Sequence, residues 1–404
     1  MSTRTATART SIERTLRGRV AVAGIGETPY YKRGGSPDPE FVMALHAILA
    51  ACADAGIDPH DIDGFASYAG DRNEQTRLAS ALGCSSLRFS NMQWGGGGAG
   101  GSAAVANAAA AIAAGLAECV VVFRALAQGQ FGRFGAAPST PVVTGGAALS
   151  YPYGLLSPAQ QFAMRMQRFV HEHDQVSLDT QKAVALASYH HAQQNPRAVM
   201  YGRPLTAEMY DASRWIVEPW HLYDCCMEND GAAALILVAG DRADEFGHRP
   251  CYLLGAAQGA GFRDGTNHYA PTYASACFTT LSPRLYEMAG VTAADVDVVQ
   301  SYENFTGGVV MSLIEHGLCT YDNADEVIAF DNLIAPTGAL PLNTSGGNLA
   351  ECYVHGFELQ LEAVRQIRGT STNQVPKVDV SLVASGPMVV PASNLIFGSS
   401  EALG

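Results

Sequence analysis

Short apolar runs alternate with helix-like segments along the first part of the chain. Residues 20–25 form a continuous apolar run typical of a buried strand, and residues 38–56 have the spacing of a helix. A turn and strand are predicted at 61–68, another strand at 87–91 and a buried strand at 119–123. This order indicates a layered α/β unit with helices packed on its sheet.

A glycine-rich stretch at 95–101 leads into a predicted helix of small residues at 102–114. Such a helix has no amphipathic stripe, so we expect other elements to surround it and to pack closely on its backbone. The stretch also fits the spacing GxGxxG. The nearest downstream acid, Glu118, comes before the next strand rather than after it, which argues against a dinucleotide-binding fold.

The regular α/β pattern is interrupted between residues 125 and 219. This segment begins with a glycine- and proline-containing loop and continues with a helix that opens at the capping-box sequence 157–160. A second helix must end before Pro196. We interpret the segment as an insertion that covers a site, because α/β order resumes with an apolar run at 230–238.

The second part of the chain repeats the first. Residues 55–63 recur in similar form at 289–297, and at the same offset Ser67-Tyr68 recurs as Ser301-Tyr302. Each copy lies between a predicted helix and a predicted strand. The repeat indicates two similar α/β halves. The predicted boundaries are a flexible tail at 1–18, a first half at 19–124 and 220–247, the insertion at 125–219, and a second half at 248–404.

The polar segment 343–356 is the main candidate for a functional loop. Its glycines Gly346 and Gly347 let a backbone approach a ligand closely. The apolar spacing that follows predicts a buried helix from Leu349 onward, with Tyr353 and His355 in its first turns. The alternative is an ordinary core tyrosine at the start of a helix.

Composition and charge exclude several classes of function. The chain has 404 residues, 48% of them hydrophobic and 16% charged, and its net charge of −13 argues against nucleic acid or an anionic membrane as the main partner. No apolar run approaches membrane-spanning length. Nine cysteines without a paired framework fit a reducing cytoplasm. The arginine-containing N-terminus fits a transit sequence less well than a solvated tail.

No metal site is predicted. The histidines at 171 and 173 and the pair at 190–191 lie on helical segments without a third ligand in view, so solvated helix faces are the default interpretation. Cys225 and Cys226 are adjacent, which is a poor spacing for a metal.

Taken together, several motifs resemble the thiolase superfamily, in particular the branch related to sterol-carrier-protein thiolases. They are Asp224-Cys225-Cys226 ahead of Asp230-Gly231-Ala232, the segment Gly346-Gly347 followed by Tyr353-Val354-His355-Gly356, the small-residue helix and the repeated halves. The resemblance implies an α/β thiolase-like fold of two αβαβα halves with an inserted loop domain.

The chain departs from a working thiolase at its acyl-transfer positions. Gly98 stands at the position of the nucleophilic cysteine, Tyr353 at that of a catalytic histidine and Tyr302 at that of an asparagine. The second catalytic cysteine is absent from 383–387. Cys84 imitates the nucleophile motif but precedes the strand at 87–91, so we interpret it as structural.

These substitutions are similar to those of the thiolase-like aldolases of steroid side-chain breakdown. That resemblance implies a catalytic pair, Tyr302 and Tyr353, acting on a steroid or other bulky acyl-CoA. It also implies a homodimer with a small OB-fold partner subunit. The loop residues Asn343, Gly346 and Gly347 are expected to line the site.

Retro-aldol cleavage of a 3-hydroxyacyl-CoA between C2 and C3 releases a ketone and a short acyl-CoA without an acyl carrier. It requires a base at the hydroxyl, an oxyanion site and an acid at C2, and no tightly bound cofactor. We assign Tyr353 as the base and Tyr302 as the proton donor, with His355 as a possible helper. Their hydroxyls are expected in one cleft, with the C2–C3 bond between them.

Two other functions remain open from the sequence. One is a non-catalytic thiolase-like subunit that binds acyl-CoA or acts as a scaffold. The other is an unusual acyltransferase that uses Cys352 or another thiol. Five arginines in the insertion are candidates for binding CoA phosphates: Arg165, Arg168, Arg197, Arg203 and Arg214.

Overall fold

The computed structural model describes residues 15–131, 142–264 and 270–404. Its strands are β1 (Val20–Glu27), β2 (Tyr31–Lys32), β3 (Gly64–Tyr68), β4 (Phe89–Gln93), β5 (Cys119–Ala127), β6 (Trp215–Val217), β7 (Trp220–His221), β8 (Asn229–Ala239), β9 (Tyr252–Gly259), β10 (Val298–Ser301), β11 (Val380–Ser385) and β12 (Ala392–Gly398). Its helices are α1 (Glu40–Ala55), α2 (Gln75–Leu82), α3 (Gly100–Ala113), α4 (Pro158–Glu172), α5 (Asp179–Ala192), α6 (Ala207–Asp211), α7 (Ser282–Ala289), α8 (Thr306–Glu315), α9 (Ala324–Val327), α10 (Phe330–Leu333) and α11 (Phe357–Arg368).

The two halves have the same strand order. In the first half, β3 lies between β4 and β5 and is parallel to both, and β8 and β1 follow in antiparallel pairing. In the second half β10 is parallel to β11, and β12 and β9 follow in antiparallel pairing. Leu342 bridges Val299 in parallel, in the place that β4 takes beside β3. The repeat seen in the sequence therefore corresponds to a repeat of topology.

The halves share a central layer of two helices. α3 follows β4, and α11 follows the segment of Leu342, which takes the place of β4 in the second half. Both helices contribute to one buried apolar cluster, which includes Ala104, Ala108 and Val364. α3 also contacts strands of both halves. Small side chains fill it because it packs on protein on nearly every side, as its lack of an apolar stripe predicts.

The first strand of each half packs tightly on one helix: β1 on α1 and β9 on α7. Any Cβ at Gly24 or Gly26 of β1 would overlap the backbone of α1. The same relation holds in the second half, where a Cβ at Gly255 would lie 2.8 Å from the carbonyl oxygen of Leu285. Glycine in these strands allows the backbones of strand and helix to touch.

Several predicted boundaries are wrong. α2 was not predicted, because its two buried leucines, one turn apart, are too few to establish a helical period. β5 continues to Ala127, so the sheet extends past residue 124, where the insertion was expected to begin. Residues 1–14 of the predicted tail lie outside the described residues. Arg17 is not part of a free tail, because its guanidinium donates to carbonyls near both α7 and the C-terminus.

The insertion forms a wall over the second half. The capping box that opens α4 is confirmed, with Ser157 and Gln160 bonded reciprocally. Phe162 of α4 lies 5.4 Å, ring to ring, from Phe305, and α5 contacts the turn at Gly347–Glu351. In the described ranges, no helix is both long enough and apolar enough to cross a bilayer.

The close packing of β1 on α1 predicts a stability effect. Gly26→Ala would place a Cβ into the backbone of Ala51, where no flexible side chain can move aside. We expect a loss of about 1–3 kcal/mol in the free energy of unfolding, the usual cost of overpacking. Gly247→Ala is the control, since nothing lies within 4 Å of its Cβ position. Denaturant titration of both variants measures the difference, and equal midpoints would contradict this packing.

Candidate active site

The loop that carries Tyr353 is not the start of a helix. Gly347–Glu351 forms a π-type turn, and residues 352–356 leave it before α11 begins at Phe357. The reason lies in side-chain acceptors: Asn229 Oδ1 accepts the Tyr353 N–H at 2.5 Å, and Glu358 accepts the Val354 N–H at 3.2 Å. The predicted helix from Leu349 is therefore wrong, although an apolar helix does follow.

Asn343, Gly346 and Gly347 support the loop rather than lining the cavity described below. The Asn343 amide accepts from the Ser301 N–H at 2.7 Å and donates to the Ser301 carbonyl at 2.8 Å. Gly346 and Gly347 have φ of 109° and 54°, which lie in the region that favours glycine. Their place beside a bound substrate stays a prediction; in the structure their polar groups and close approaches are directed at neighbouring protein.

The two predicted tyrosines meet. Tyr302 follows β10 directly, and its N–H donates to the Ala384 carbonyl at 2.9 Å. Its hydroxyl lies 2.7 Å from the Tyr353 hydroxyl, and both residues are buried, with exposed fractions of 2% and 6%. The structure therefore brings the two predicted residues together. The expectation of a gap between the hydroxyls is wrong, because they are hydrogen-bonded to each other.

Two glycines make room for the Tyr302 ring. A Cβ at Gly98 would overlap that ring, and a Cβ at Gly356 would lie 2.5 Å from its Cδ2. Gly98 is the position where the thiolase pattern has a cysteine. The phenol of Tyr302 therefore occupies space that a side chain at residue 98 would need.

Both phenols are neutral at pH 7. Burial raises the pKa of Tyr302 well above its usual value, and the neighbouring Tyr353 raises it further. Burial likewise raises the pKa of Tyr353, with Cys226 as the next cause. A buried phenol that stays protonated is a proton donor, and it accepts a proton only if it passes its own proton on.

His355 packs beside Tyr353 and is uncharged. Its ring centroid lies 5.3 Å from that of Tyr353, and the two rings are nearly perpendicular. Burial lowers the pKa of His355 well below its usual value, and the positive charges of Arg124 and Arg72 lower it further. Its Nδ1 accepts a hydrogen bond of 3.1 Å from Arg124 Nε.

Sequence reasoning missed Arg124 and its partner Asp71. The signal was present, because a charged residue within the apolar run of β5 is unusual in a buried strand. Arg124 is 2% exposed and donates to Asp71 at 2.5 Å.

A cavity of about 610 Å³ opens at Tyr353. The insertion and the segment before β8 form one side of it, and Asn304, Phe305 and Tyr353 form the other. Its lining is mainly apolar and aromatic, with Arg214 and Glu228 as charged members. Such a cavity suits a large apolar ligand with a few polar groups.

Most of the other candidates have structural roles. Arg165 donates to the carbonyl of Ser275, Arg168 pairs with Glu172, and Arg197 pairs with Glu27. Of the five arginines considered for CoA, Arg214 lines the cavity.

The thiols and histidines are also accounted for. Cys352 is fully buried, and burial raises its pKa well above the usual value, so it is a poor nucleophile. Cys84 lies next to the C-terminal end of α2, away from the tyrosines. His191 accepts the Ala335 N–H, and His173 stacks on Tyr321. Across residues 15–131, 142–264 and 270–404, no group of three or more His, Cys, Asp or Glu side chains is arranged to hold a metal ion.

Comparison with known proteins identifies the family. Residues 262–399 match the family described as thiolase C-terminal domain-like. A steroid side-chain-cleaving aldolase from Thermomonospora curvata is 40% identical over 398 residues, covering 96% of this chain and 99% of the relative. This chain belongs to the thiolase-like aldolases.

Two further matches agree with this family. A 17-hydroxy-3-oxo-4-pregnene-20-carboxyl-CoA lyase from Mycobacterium tuberculosis is 40% identical over 395 residues. The match covers 95% of this chain and 100% of the relative. The solved structure of an Ltp2-ChsH2(DUF35) aldolase matches with a TM-score of 0.87 and 38% identity, covering 96% of this chain and 99% of that one. The predicted family and thiolase-like fold are confirmed.

The Tyr302 pocket predicts the effect of a small change at Gly98. Gly98→Ala would push the Tyr302 ring away and break its hydrogen bond to Tyr353, so we expect a lower melting temperature and a longer O···O distance in a crystal structure. Gly101→Ala is the control, since its nearest neighbour would be a side-chain oxygen at 3.4 Å. An unshifted Tyr302 ring in Gly98→Ala would contradict the shared-space argument.

Proposed function

We propose that this thiolase-like aldolase cleaves the C2–C3 bond of a bulky 3-hydroxyacyl-CoA of the steroid side-chain type, releasing a ketone and a short acyl-CoA. The observation that carries the proposal is the hydrogen-bonded pair of phenols at the wall of an apolar cavity. The reaction needs no bound cofactor, and the CoA thioester is the substrate.

The direct contact of the hydroxyls suggests a proton relay in place of two separate groups. The substrate hydroxyl gives its proton to Tyr353, and Tyr353 passes its own proton to Tyr302. In the same concerted step the C2–C3 bond breaks and Tyr302 delivers its own proton to C2 as it accepts the proton of Tyr353, so the electrons of the broken bond pass through the thioester enolate into the new C2–H bond. Both phenols end as they began, so neither must ionise at neutral pH, as their raised pKa values require.

Tyr353 is the better candidate for contact with the substrate hydroxyl because it lines the cavity. Tyr302 lies behind it, against Gly98 and Gly356. This order supports Tyr353 as the base at the substrate hydroxyl, and it leaves Tyr302 to reach C2 from behind its partner. In the proposed complex, the Tyr302 hydroxyl must turn from its partner toward C2 during the reaction.

The size and polarity of the cavity support a large apolar acyl group. Two relatives are named for steroid substrates, one as a side-chain-cleaving aldolase and one as a lyase of a steroid carboxyl-CoA. Arg214, which is exposed and lines the cavity, is positioned to meet an anionic part of CoA.

The proposal is tested first with single hydroxyl deletions. Tyr302→Phe and Tyr353→Phe keep the ring packing and interrupt the relay, so we expect kcat to fall by about two to four orders of magnitude with little change in stability. The assay follows ketone release from a 17-hydroxy steroid carboxyl-CoA by the purified protein, with and without a small OB-fold subunit. Tyr286→Phe is the control, since that hydroxyl bonds the His316 carbonyl on another part of the fold.

Other outcomes distinguish the competing functions. Full turnover in either active-site variant contradicts the relay. Binding of acyl-CoA without cleavage, even with the partner subunit, would support a non-catalytic subunit. Loss of turnover on alkylation of one cysteine with iodoacetamide, with both phenylalanine variants active, would support an acyltransferase.

For assembly, we propose a homodimer joined to a small OB-fold subunit in the cytoplasm. β4 is an edge strand with Met92 exposed (45%), and Trp94 directly after it is also exposed (85%), which suits pairing with a second copy. The matched structure of a relative names a DUF35 component, which supports a partner subunit. All nine cysteines are unpaired, as is usual in a reducing compartment.

The dimer is tested by light scattering at micromolar concentration. We expect a mass of two chains for the wild type and of one chain for Trp94→Glu, because a charge at the centre of an apolar contact opposes its burial. Leu116→Glu is the control, since Leu116 is exposed but lies after α3 and not in the edge segment 89–94. A monomeric wild type would contradict the dimer.

A further inference from the structure

The ion pair of Arg124 and Asp71 lies behind the active site and has no role in the reaction as proposed so far. Both side chains are almost completely buried, with exposed fractions of 2% and 0%. The neighbouring residues on the same face of β5, Val122 and Leu126, belong to the apolar core. An apolar residue at 124 would pack there without the cost of desolvating a charge, so the arginine requires an explanation.

Arg124 directs its donors at three different acceptors. Nη1 donates to Asp71 at 2.5 Å, Nη2 to the Ala69 carbonyl at 3.4 Å, and Nε to His355 Nδ1 at 3.1 Å. Because Nδ1 accepts this bond, the proton of the neutral imidazole lies on Nε2. The guanidinium therefore determines the tautomer of His355.

The backbone of His355 is also held in an unusual conformation. Its φ is +51°, a left-handed value that is uncommon for residues other than glycine. The Tyr68 hydroxyl donates to its carbonyl at 2.9 Å, and Arg124 holds its ring. Residues kept in such conformations by their surroundings are frequent at functional sites.

We propose that Arg124 is a positioning residue that acts through His355 on Tyr353. It holds the imidazole neutral, with its proton on Nε2, and perpendicular to the phenol ring at 5.3 Å between centroids. The orientation of the Tyr353 hydroxyl toward the substrate then depends on a charge that touches neither substrate nor phenol. This inference rests on the proposed function.

The pH dependence follows from the groups that face His355. These are Arg124 on β5, Tyr68 on β3, Asp71 and Arg72 on the turn after β3, and Tyr353 on the same loop. With both arginines in place the imidazole stays neutral throughout an ordinary assay range. Removal of the Arg124 charge raises the pKa of His355, although burial, the largest cause of its low value, and Arg72 still lower it.

The experiment removes the buried charges together, so that neither is left unpaired. In the double variant Arg124→Met/Asp71→Asn, we expect kcat to fall about ten- to a hundredfold with KM little changed, as for a misplaced catalytic group. We also expect kcat to be lost on acidification at a higher pH than in the wild type, because removal of the Arg124 charge raises the pKa of His355 while burial keeps that pKa below its ordinary value. Adding His355→Gln should abolish this new pH dependence.

The control is another arginine buried to a similar degree, far from the tyrosines. Arg368 has a side chain 3% exposed and pairs with Asp54. Arg368→Met/Asp54→Asn is expected to lower stability while kcat and its pH profile remain those of the wild type. If the Arg124 double variant fails to fold, Arg124→Lys replaces it: the charge remains but the Nε donor is lost, so kcat falls without a new pH dependence.

Nitrogen NMR of the wild-type protein tests the tautomer of His355 without an activity assay. A His355 with its proton on Nε2 between pH 6 and 8 is expected, and a proton on Nδ1 would overturn the inference while leaving the lyase function intact. Wild-type kcat with an unchanged pH profile in both the double variant and Arg124→Lys would also overturn it. A wild type that binds the steroid thioester without cleaving it would instead overturn the proposed function.

Discussion

The contact between Tyr302 and Tyr353 depends on the absence of a side chain at Gly98. The Tyr302 ring lies in the space that any Cβ at residue 98 would enter, and Gly356 leaves the other side open. A thiolase cysteine and this phenol are therefore alternatives for one volume. A side chain at residue 98 and the Tyr302 ring in its present place exclude each other.

The repeated halves use equivalent positions for different purposes. Tyr68 is the last residue of β3 and Tyr302 directly follows the equivalent strand β10, and both reach the loop that carries Tyr353. Each lies against a glycine, Gly100 for Tyr68 and Gly98 for Tyr302. The Tyr68 hydroxyl bonds the backbone of His355, whereas the Tyr302 hydroxyl meets another hydroxyl. Tyr68 therefore supports the loop, whereas the Tyr302 hydroxyl is available for proton transfer.

Buried acidic side chains support the active-site loop, and their desolvation costs free energy. Glu303 and Glu351 lie beneath it, and burial raises their pKa values to about 8 and about 7. Glu358 accepts from the loop backbone and from the Asn348 amide. Buried acids of this kind contribute less to the free energy of unfolding than apolar residues of similar volume would. Their benefit is directional: Glu358 accepts the Val354 N–H, while Glu303 and Glu351 accept from Ser188 and Asn195 of the insertion.

Much of the architecture was determined by the sequence itself. Apolar runs such as 230–238 predict buried strands, the small-residue helix predicts a surrounded layer, and the offset of Tyr68 and Tyr302 predicts two related halves. The resemblance to the thiolase pattern assigns a glycine at 98 to the place of the cysteine and phenols at 302 and 353 to two further catalytic places, and this resemblance implies the class of chemistry. These features are local or periodic, so they can be read without knowing which residues touch.

Only the tertiary structure decided how the site is built. Tyr353 lies in an irregular loop because Asn229, distant in sequence, takes its N–H, and no local pattern contains that bond. The hydroxyls of Tyr302 and Tyr353 touch because two glycines from separate segments leave space for a ring. Arg124 Nε meets His355 Nδ1 at 3.1 Å although the two residues are 231 positions apart in the sequence. Distances between remote segments are set by packing, and packing is a property of the whole fold.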